Sequence, residues 1–149
     1  MSEQPIDRLL LVEKVLMLKS LSIFKDTPEP VLADLAPLLL EVEFEAGVSI
    51  FEEGARGDCM YIIYKGSVRI HKGTQELAVL PEKEVFGELS LLDTESRSAS
   101  ATAQTDCILF RIDQEPFYEL VETRPEVMKG FVKILCQRLR AQNARSIGK

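Results

Sequence analysis

Phe86-Gly87-Glu88-Leu89-Ser90-Leu91-Leu92-Asp93-Thr94-Glu95-Ser96-Arg97-Ser98-Ala99-Ser100-Ala101-Thr102 is a one-turn helix signal that runs through a polar loop into an arginine set among small residues. Gly87 allows the backbone to approach a bound group closely. The free N–H groups at the start of a short helix over Glu88 to Leu92 favour an anion, and Arg97 supplies a rigid donor fork. These are the parts of a small phosphate-binding pocket. Glu88 is the odd member, because a carboxylate beside a phosphate must accept hydrogen bonds from another part of the same molecule. Ribose hydroxyls would provide them.

The surroundings of this stretch are β-rich. From Glu41 onward, short runs are separated by glycines at 47, 54, 57, 66, 73 and 87, a turn spacing that predicts a barrel or roll. Met60 to Tyr64 reads as a near-continuous apolar strand. After Gly66, Ser67 to His71 alternates, with Val68 and Ile70 on one face and Arg69 and His71 on the other. Lys72 to Gln75 reads as a hairpin loop before Leu77 to Leu80. Ser98 to Ala103 and Cys107 to Ile112 alternate again, the latter with Ile108, Phe110 and Ile112 facing inward.

Helices flank the roll. Apolar residues at Ile6, Leu9, Leu10, Val12 and Leu16, with charges between them, predict an amphipathic helix over residues 5–20. Thr27 as N-cap and Pro28 at the first helical position open a second helix to about Leu39. On the C-terminal side, Asp113 is the expected N-cap of a helix over Glu115 to Val121. Thr123, Pro125 and Glu126 read as a capping box opening a helix to about Ala144. The apolar positions of that helix, Val127, Met128, Phe131, Val132, Ile134, Leu135, Cys136 and Leu139, are broad enough to cover two surfaces. Gly130 inside it marks close packing against the roll or a bend.

At 149 residues, one domain is expected that buries about two thirds of its unfolded surface without disulfides. No 18-residue apolar run is present to span a bilayer, and Met1 to Gln4 lacks the basic flank of a signal peptide, so the chain reads as cytoplasmic. A net charge of −6 argues against nucleic-acid binding by this chain alone. The charge is uneven: Glu126 to Lys149 carries six basic residues against one acidic, a local +5 that leaves −11 on the remainder. That basic half complements its own helix dipole or docks an acidic partner. Cys59, Cys107 and Cys136 read as buried thiols. The single His71 and the lack of CxxC or HxH spacing predict no metal site and no catalytic centre, since β-roll dioxygenases and isomerases need two or three histidines.

The order of helix, glycine-punctuated roll, phosphate cassette, two strands and two helices resembles the cyclic nucleotide-binding domain of bacterial catabolite activators, protein kinase A regulatory subunits and cyclic-nucleotide-gated channels. The resemblance covers about residues 21–145. It rests on Phe86-Gly87-Glu88-Leu89-Ser90-Leu91 followed at the family's interval by Arg97-Ser98-Ala99, with Gly47, Gly54 and Tyr61-Ile62-Ile63-Tyr64-Lys65-Gly66-Ser67-Val68 upstream. It implies an α+β fold: an antiparallel β-roll, a jelly-roll-like double-stranded β-helix over about 41–112, flanked by N-terminal helices and by two C-terminal helices over about 113–145, the last a lid. Residues 1–20 would form a separate N-terminal helix.

The resemblance also assigns roles. Arg97 would pair with the cyclic phosphate, Glu88 would accept from the ribose 2′-hydroxyl, and Gly87 and Ala99 would offer backbone N–H groups, with Phe86, Leu89 and Ser90 completing the cassette. Ser98, serine in the cAMP-preferring bacterial activator where kinase A cassettes carry alanine and cGMP-dependent kinases threonine, points to cAMP first and cGMP second. Its hydroxyl could equally meet the guanine 2-amino group. Ser96 departs from the proline of the kinase pattern. Leu135 and Leu139 are the implied apolar lid, and Gln142 and Asn143 the polar side chains that meet the base.

The implied function is a regulatory sensor, not an enzyme, that closes its last helix over the bound base. Only four residues follow Arg145, too few for an appended helix-turn-helix. The signal would therefore pass by a homodimer through the C-terminal or N-terminal helix, to an effector protein, or to a fused domain, with Ile6 to Lys19 as the attachment surface. The rival reading is a protein-interaction module of the same fold that binds no nucleotide.

Overall fold

The computed structural model describes residues 5, 6 and 9–147, with side chains from 9 to 144. In chain order the elements are β1 (Pro5–Ile6), α1 (Leu11–Lys19), α2 (Glu29–Leu35) with a 3-10 turn at Ala36–Leu38, β2 (Leu40–Phe44), β3 (Ser49–Phe51), β4 (Cys59–Lys65), β5 (Val68–Lys72), β6 (Gln75–Leu80), β7 (Val85–Phe86), α3 (Glu88–Asp93), β8 (Ser100–Ala103), β9 (Cys107–Asp113), α4 (Gln114–Thr123), a 3-10 turn at Pro125–Val127 and α5 (Met128–Ile147). All strand pairs are antiparallel, in one sheet of order β1-β2-β9-β4-β7 and another of order β3-β8-β5-β6. The antiparallel roll with flanking helices is the expected architecture.

The chain divides into two compact units, a β unit of Leu38–Phe117 with the N-terminal strand, and a helical unit of Leu10–Pro37 with the chain from Tyr118 onward. The interior of the β unit is lined by Val42, Phe44, Tyr61, Ile63, Val68, Phe86, Ala101, Ala103, Cys107 and Leu109, with Ile50, Phe51, Ile70 and Leu80 packed against them. β4 pairs with β9 and β7 along its two edges, and its first five residues, Cys59 to Ile63, are all buried, so both of its faces are covered and its sequence is apolar without alternation. The same holds for β9, where the expected inward set needs correction. Cys107 and Leu109 line the roll interior, whereas Phe110 and Ile112, also buried, are not part of that cluster, and Ile108 is only half-buried.

In the helical unit, Leu18, Leu21, Phe24, Leu32, Leu35, Val127 and Phe131 are buried, and Phe24 meets Phe131 edge to face with ring centroids 5.8 Å apart. Gly130 lets α5 approach closely, because a Cβ there would overlap the Ile23 carbonyl oxygen and lie 2.8 Å from its carbon. The close-packing reading of this glycine therefore holds, but the neighbour is the α1–α2 connection and not the roll. Backbone cannot yield as a flexible side chain would, so Gly130→Ala is expected to destabilise the fold by about 1–3 kcal/mol, read as a lowered urea midpoint with an unchanged m-value.

Other expectations are corrected at the helix ends. The N-terminal helix does not extend over 5–20: Pro5–Ile6 pairs with Val42 and Glu41 of β2, residues 7 and 8 lie outside the described part, and the helix begins at Leu11. Leu10 is extended, and its N–H donates to the Glu13 carboxylate at 2.8 Å, which fixes the start. The N-cap of α2 is Pro28 in place of Thr27. Thr123 does not open the last helix; it ends α4, its hydroxyl donating to the Leu120 carbonyl at 3.2 Å, and the 3-10 turn at Pro125–Val127 leads into α5. Cys136 is exposed, unlike Cys59 and Cys107, because it lies on the solvent side of α5. The apolar face of α1 is also largely uncovered: Leu11, Val12 and Leu16 are 52%, 61% and 64% exposed, while Lys14 and Leu18 are buried. Lys149, counted in the basic C-terminal half, is outside the described residues.

Candidate ligand-binding site

The cassette is built where β7 runs into α3. Gly87 caps α3 in the left-handed region, φ +78°, which a side chain would strain, and a Cβ there would also come within 2.7 Å of Arg97 Nη1. Ser90 is buried on the first turn, and its hydroxyl donates to the Glu95 carbonyl at 3.3 Å, tying the short helix to the loop that follows. Thr94 ends α3 with φ +53°, an uncommon conformation for a β-branched residue. From there the loop delivers Arg97, whose backbone is clamped: its N–H donates to the Ala55 carbonyl and its carbonyl accepts from Gly54 N–H, both at 2.8 Å.

Arg97 is 6% exposed and Glu88 5%, so neither belongs to a solvated surface pair. The guanidinium donates from Nη1 to the Gly87 carbonyl and from Nη2 to the Cys59 thiol, each at 3.3 Å, and its carbon lies 4.0 Å above the centroid of the Phe51 ring. Nε is buried and makes no hydrogen bond. Gly57 lies against it, since a Cβ at that position would overlap Nε and stand 2.6 Å from Cζ and 2.7 Å from Ser90 Oγ. Burial holds the Cys59 thiol above its ordinary pKa, so it is a neutral acceptor at pH 7 despite the lowering effect of the nearby Arg97 charge. The partners of this buried cation are therefore a carbonyl, a thiol and a ring, none of them anionic. A buried donor without an acceptor is costly, about 1–3 kcal/mol, and an anionic ligand oxygen would relieve that cost. The residues present fit a phosphate.

Phe86, Gly87, Glu88, Leu89, Ser90, Arg97, Ser98 and Ala99 all belong to the β unit. Phe86 is buried and stacks on Tyr61 at 5.3 Å, Leu89 is 52% exposed, Ser98 is exposed and Ala99 half-buried. Leu135, Leu139, Gln142 and Asn143 lie on α5 in the helical unit, Leu135 half-buried and the other three exposed. Three contributors were not singled out as site residues in the sequence: Phe51, Gly57 and Cys59, which come from the β3–β4 segment. The only local signal for them is the small residue at Gly57 within a glycine-rich turn. Among the described residues no group of His, Cys, Asp or Glu could hold a metal ion, and no helix is long and apolar enough to cross a membrane.

A family model described as "Cyclic nucleotide-binding domain" matches residues 41–124. Over 126 residues, 81% of this chain and 56% of the relative, the sequence is 32% identical to the CRP-like cAMP-activated global transcriptional regulator of Mycobacterium tuberculosis. The chain therefore spans little more than half the length of this relative. Among solved structures, the catabolite activator protein of Thermus thermophilus aligns with TM-score 0.76 and 29% identity, covering 83% of this chain and 61% of that one. The regulatory domain of Toxoplasma gondii PKA, crystallised with cAMP, aligns with TM-score 0.74 and 25% identity over 85% and 50% of the two chains. The family model covers more than half of the chain and the solved relatives share its fold, so the chain belongs to the cyclic nucleotide-binding domain family.

Proposed function

We propose that this chain is a regulatory sensor of a cyclic nucleotide, cAMP first and cGMP second, and that it performs no catalysis itself. The observation that carries the reading is the buried Arg97 guanidinium with neutral partners and a free Nε donor. An anion with ribose attached meets both that donor set and the buried Glu88 carboxylate at the start of α3. In this reading Arg97 pairs with the cyclic phosphate, Glu88 accepts from the ribose 2′-hydroxyl, and the Gly87 and Ala99 N–H groups complete the phosphate cradle. Phe86, Leu89 and Ser90 form its wall, and Ser98 lies next to the base. The ranking of the two nucleotides rests on the serine at position 98.

The module proposed to do this is residues 21–145, with residues 1–20 as an attachment segment. α5 is its lid, Leu135 and Leu139 covering the base and Gln142 and Asn143 reaching its polar edge. A ligand shifts a lid equilibrium only by its differential affinity for open and closed forms, so the lid contacts carry the coupling and Arg97 the affinity. The signal passes to a second copy, an effector protein or a fused domain in the cytoplasm, through α1 or α5.

Titration calorimetry with cAMP and cGMP, joined to mass spectrometry of any small molecule released from natively purified protein, tests the reading. Saturable binding of either nucleotide supports it; absence of binding together with no thermal stabilisation by any nucleotide would leave the interaction-module reading in its place. Gly57→Ala is a second test. The new methyl pushes the end of a flexible side chain rather than backbone, so the fold should persist with Tm within a few degrees while nucleotide affinity falls about tenfold or more. Unchanged affinity would mean that the guanidinium position beside Gly57 is not the binding position.

A further inference from the structure

On the reading that this site takes a cyclic nucleotide, we propose that Phe51 is a positioning residue for Arg97: its ring is a fixed shelf that holds the guanidinium ready for the phosphate, while the Cys59 thiol is a yielding acceptor that the phosphate replaces. Phe51 touches Arg97 through its face, the Arg97 carbon standing 4.0 Å from the ring centroid. A planar, weakly hydrated guanidinium is well suited to such stacking.

The shelf is itself immobilised. Phe51 packs on Phe86 at 5.9 Å and on Tyr61 at 6.3 Å, and those two rings stack on each other at 5.3 Å with an interplanar angle of 18°. Phe86 immediately precedes Gly87, so the aromatic cluster that anchors the shelf also anchors the start of the cassette.

The polar contacts of Arg97 are weak by comparison. The bond to the Gly87 carbonyl is long at 3.3 Å, the other ends on a thiol sulfur, which is a poor acceptor, and Nε has none. An arginine held by a carboxylate would have to give up an ion pair before meeting a phosphate. Here the ring holds the group and leaves its hydrogen-bonding edge exchangeable. Binding then costs little reorganisation, and Phe51 contributes to affinity without touching the ligand.

The experiment compares the wild type with Phe51→Leu, Phe51→Tyr and Arg97→Ala, and with Phe51→Leu combined with Arg97→Ala. The first readout needs no ligand: the Arg97 Nε–Hε resonance, assigned by its loss in Arg97→Ala, is expected to be shifted upfield by the ring current in wild type and in Phe51→Tyr, and to lose that shift in Phe51→Leu. The second is calorimetric affinity for cAMP, expected to fall about three- to tenfold in Phe51→Leu, to be kept in Phe51→Tyr, and to show no further loss when Phe51→Leu is added to Arg97→Ala. An unshifted wild-type resonance, wild-type affinity in Phe51→Leu, or an equal loss in the Arg97→Ala background would each overturn the proposal. Should the wild type bind no cyclic nucleotide, the functional reading falls, and the resonance alone decides whether Phe51 holds Arg97.

Discussion

Arg97→Ala is expected to lower affinity for cAMP by about 10- to 100-fold, the equivalent of a charge-assisted contact of about 1.5–3 kcal/mol. The substitution removes a guanidinium whose contacts are a carbonyl, a thiol and a ring, so no carboxylate is left stranded by it. Its effect on the ligand-free protein should accordingly be small, since an unsatisfied buried donor disappears together with the stacking contact. The two effects separate cleanly: thermal unfolding without nucleotide should shift little, while the stabilisation added by saturating cAMP should largely vanish. Equal calorimetric affinity of wild type and variant would remove Arg97 from the binding site.

The largest effect on stability is expected at Phe131. Its side chain is 1% exposed and meets Phe24 edge to face, one residue along α5 from Gly130, which lies against the Ile23 backbone. Because backbone is seated on that glycine, the helix cannot easily settle into the space that a deleted ring would leave. Phe131→Ala should therefore cost about 3–5 kcal/mol, a large share of the 5–15 kcal/mol typical of a whole domain. In a chain of this length that corresponds to a fall in Tm on the order of 10 °C, measurable by calorimetry. A loss below about 1 kcal/mol would show that the contact relaxes freely, contrary to the rigid seating inferred from Gly130. Val132, the next residue and 54% exposed, provides the control, since Val132→Ala should change stability by well under 1 kcal/mol.

Much of the roll is legible in the chain because its signals are local. Glycines at turn positions, the apolar run of β4 and the alternation of β5 each describe a strand and its ends without reference to distant residues. The segment proposed to bind phosphate is legible for the same reason: Phe86 to Ala99 is contiguous, and its glycine, carboxylate and arginine stand close together along the chain. The readings that needed correction are ones that depended on distant parts of the chain. The inward set of β9 missed Leu109 because a strand covered on both faces does not alternate cleanly. The apolar stripe of α1 correctly marks a helix, yet its outward side carries Leu11, Val12 and Leu16 while Lys14 is buried. Thr123 has the right neighbours for a capping box, but its hydroxyl finds the Leu120 carbonyl first and closes the preceding helix instead.

What the sequence by itself determined is the fold class and the contiguous run that holds Gly87, Glu88 and Arg97, the residues on which the proposed phosphate and ribose contacts rest. Periodicity, turn residues and a contiguous motif are properties of neighbours along the chain, and local physics suffices to read them. Only the tertiary structure decided how that arginine is held. Cys59 lies 38 residues before Arg97 and Phe51 further still, and nothing in either residue type announces a role until the β3–β4 segment folds against the cassette. Burial then does the rest, because it removes water as an alternative partner and makes a ring face, a thiol and a missing Cβ the determinants of where a charge can sit.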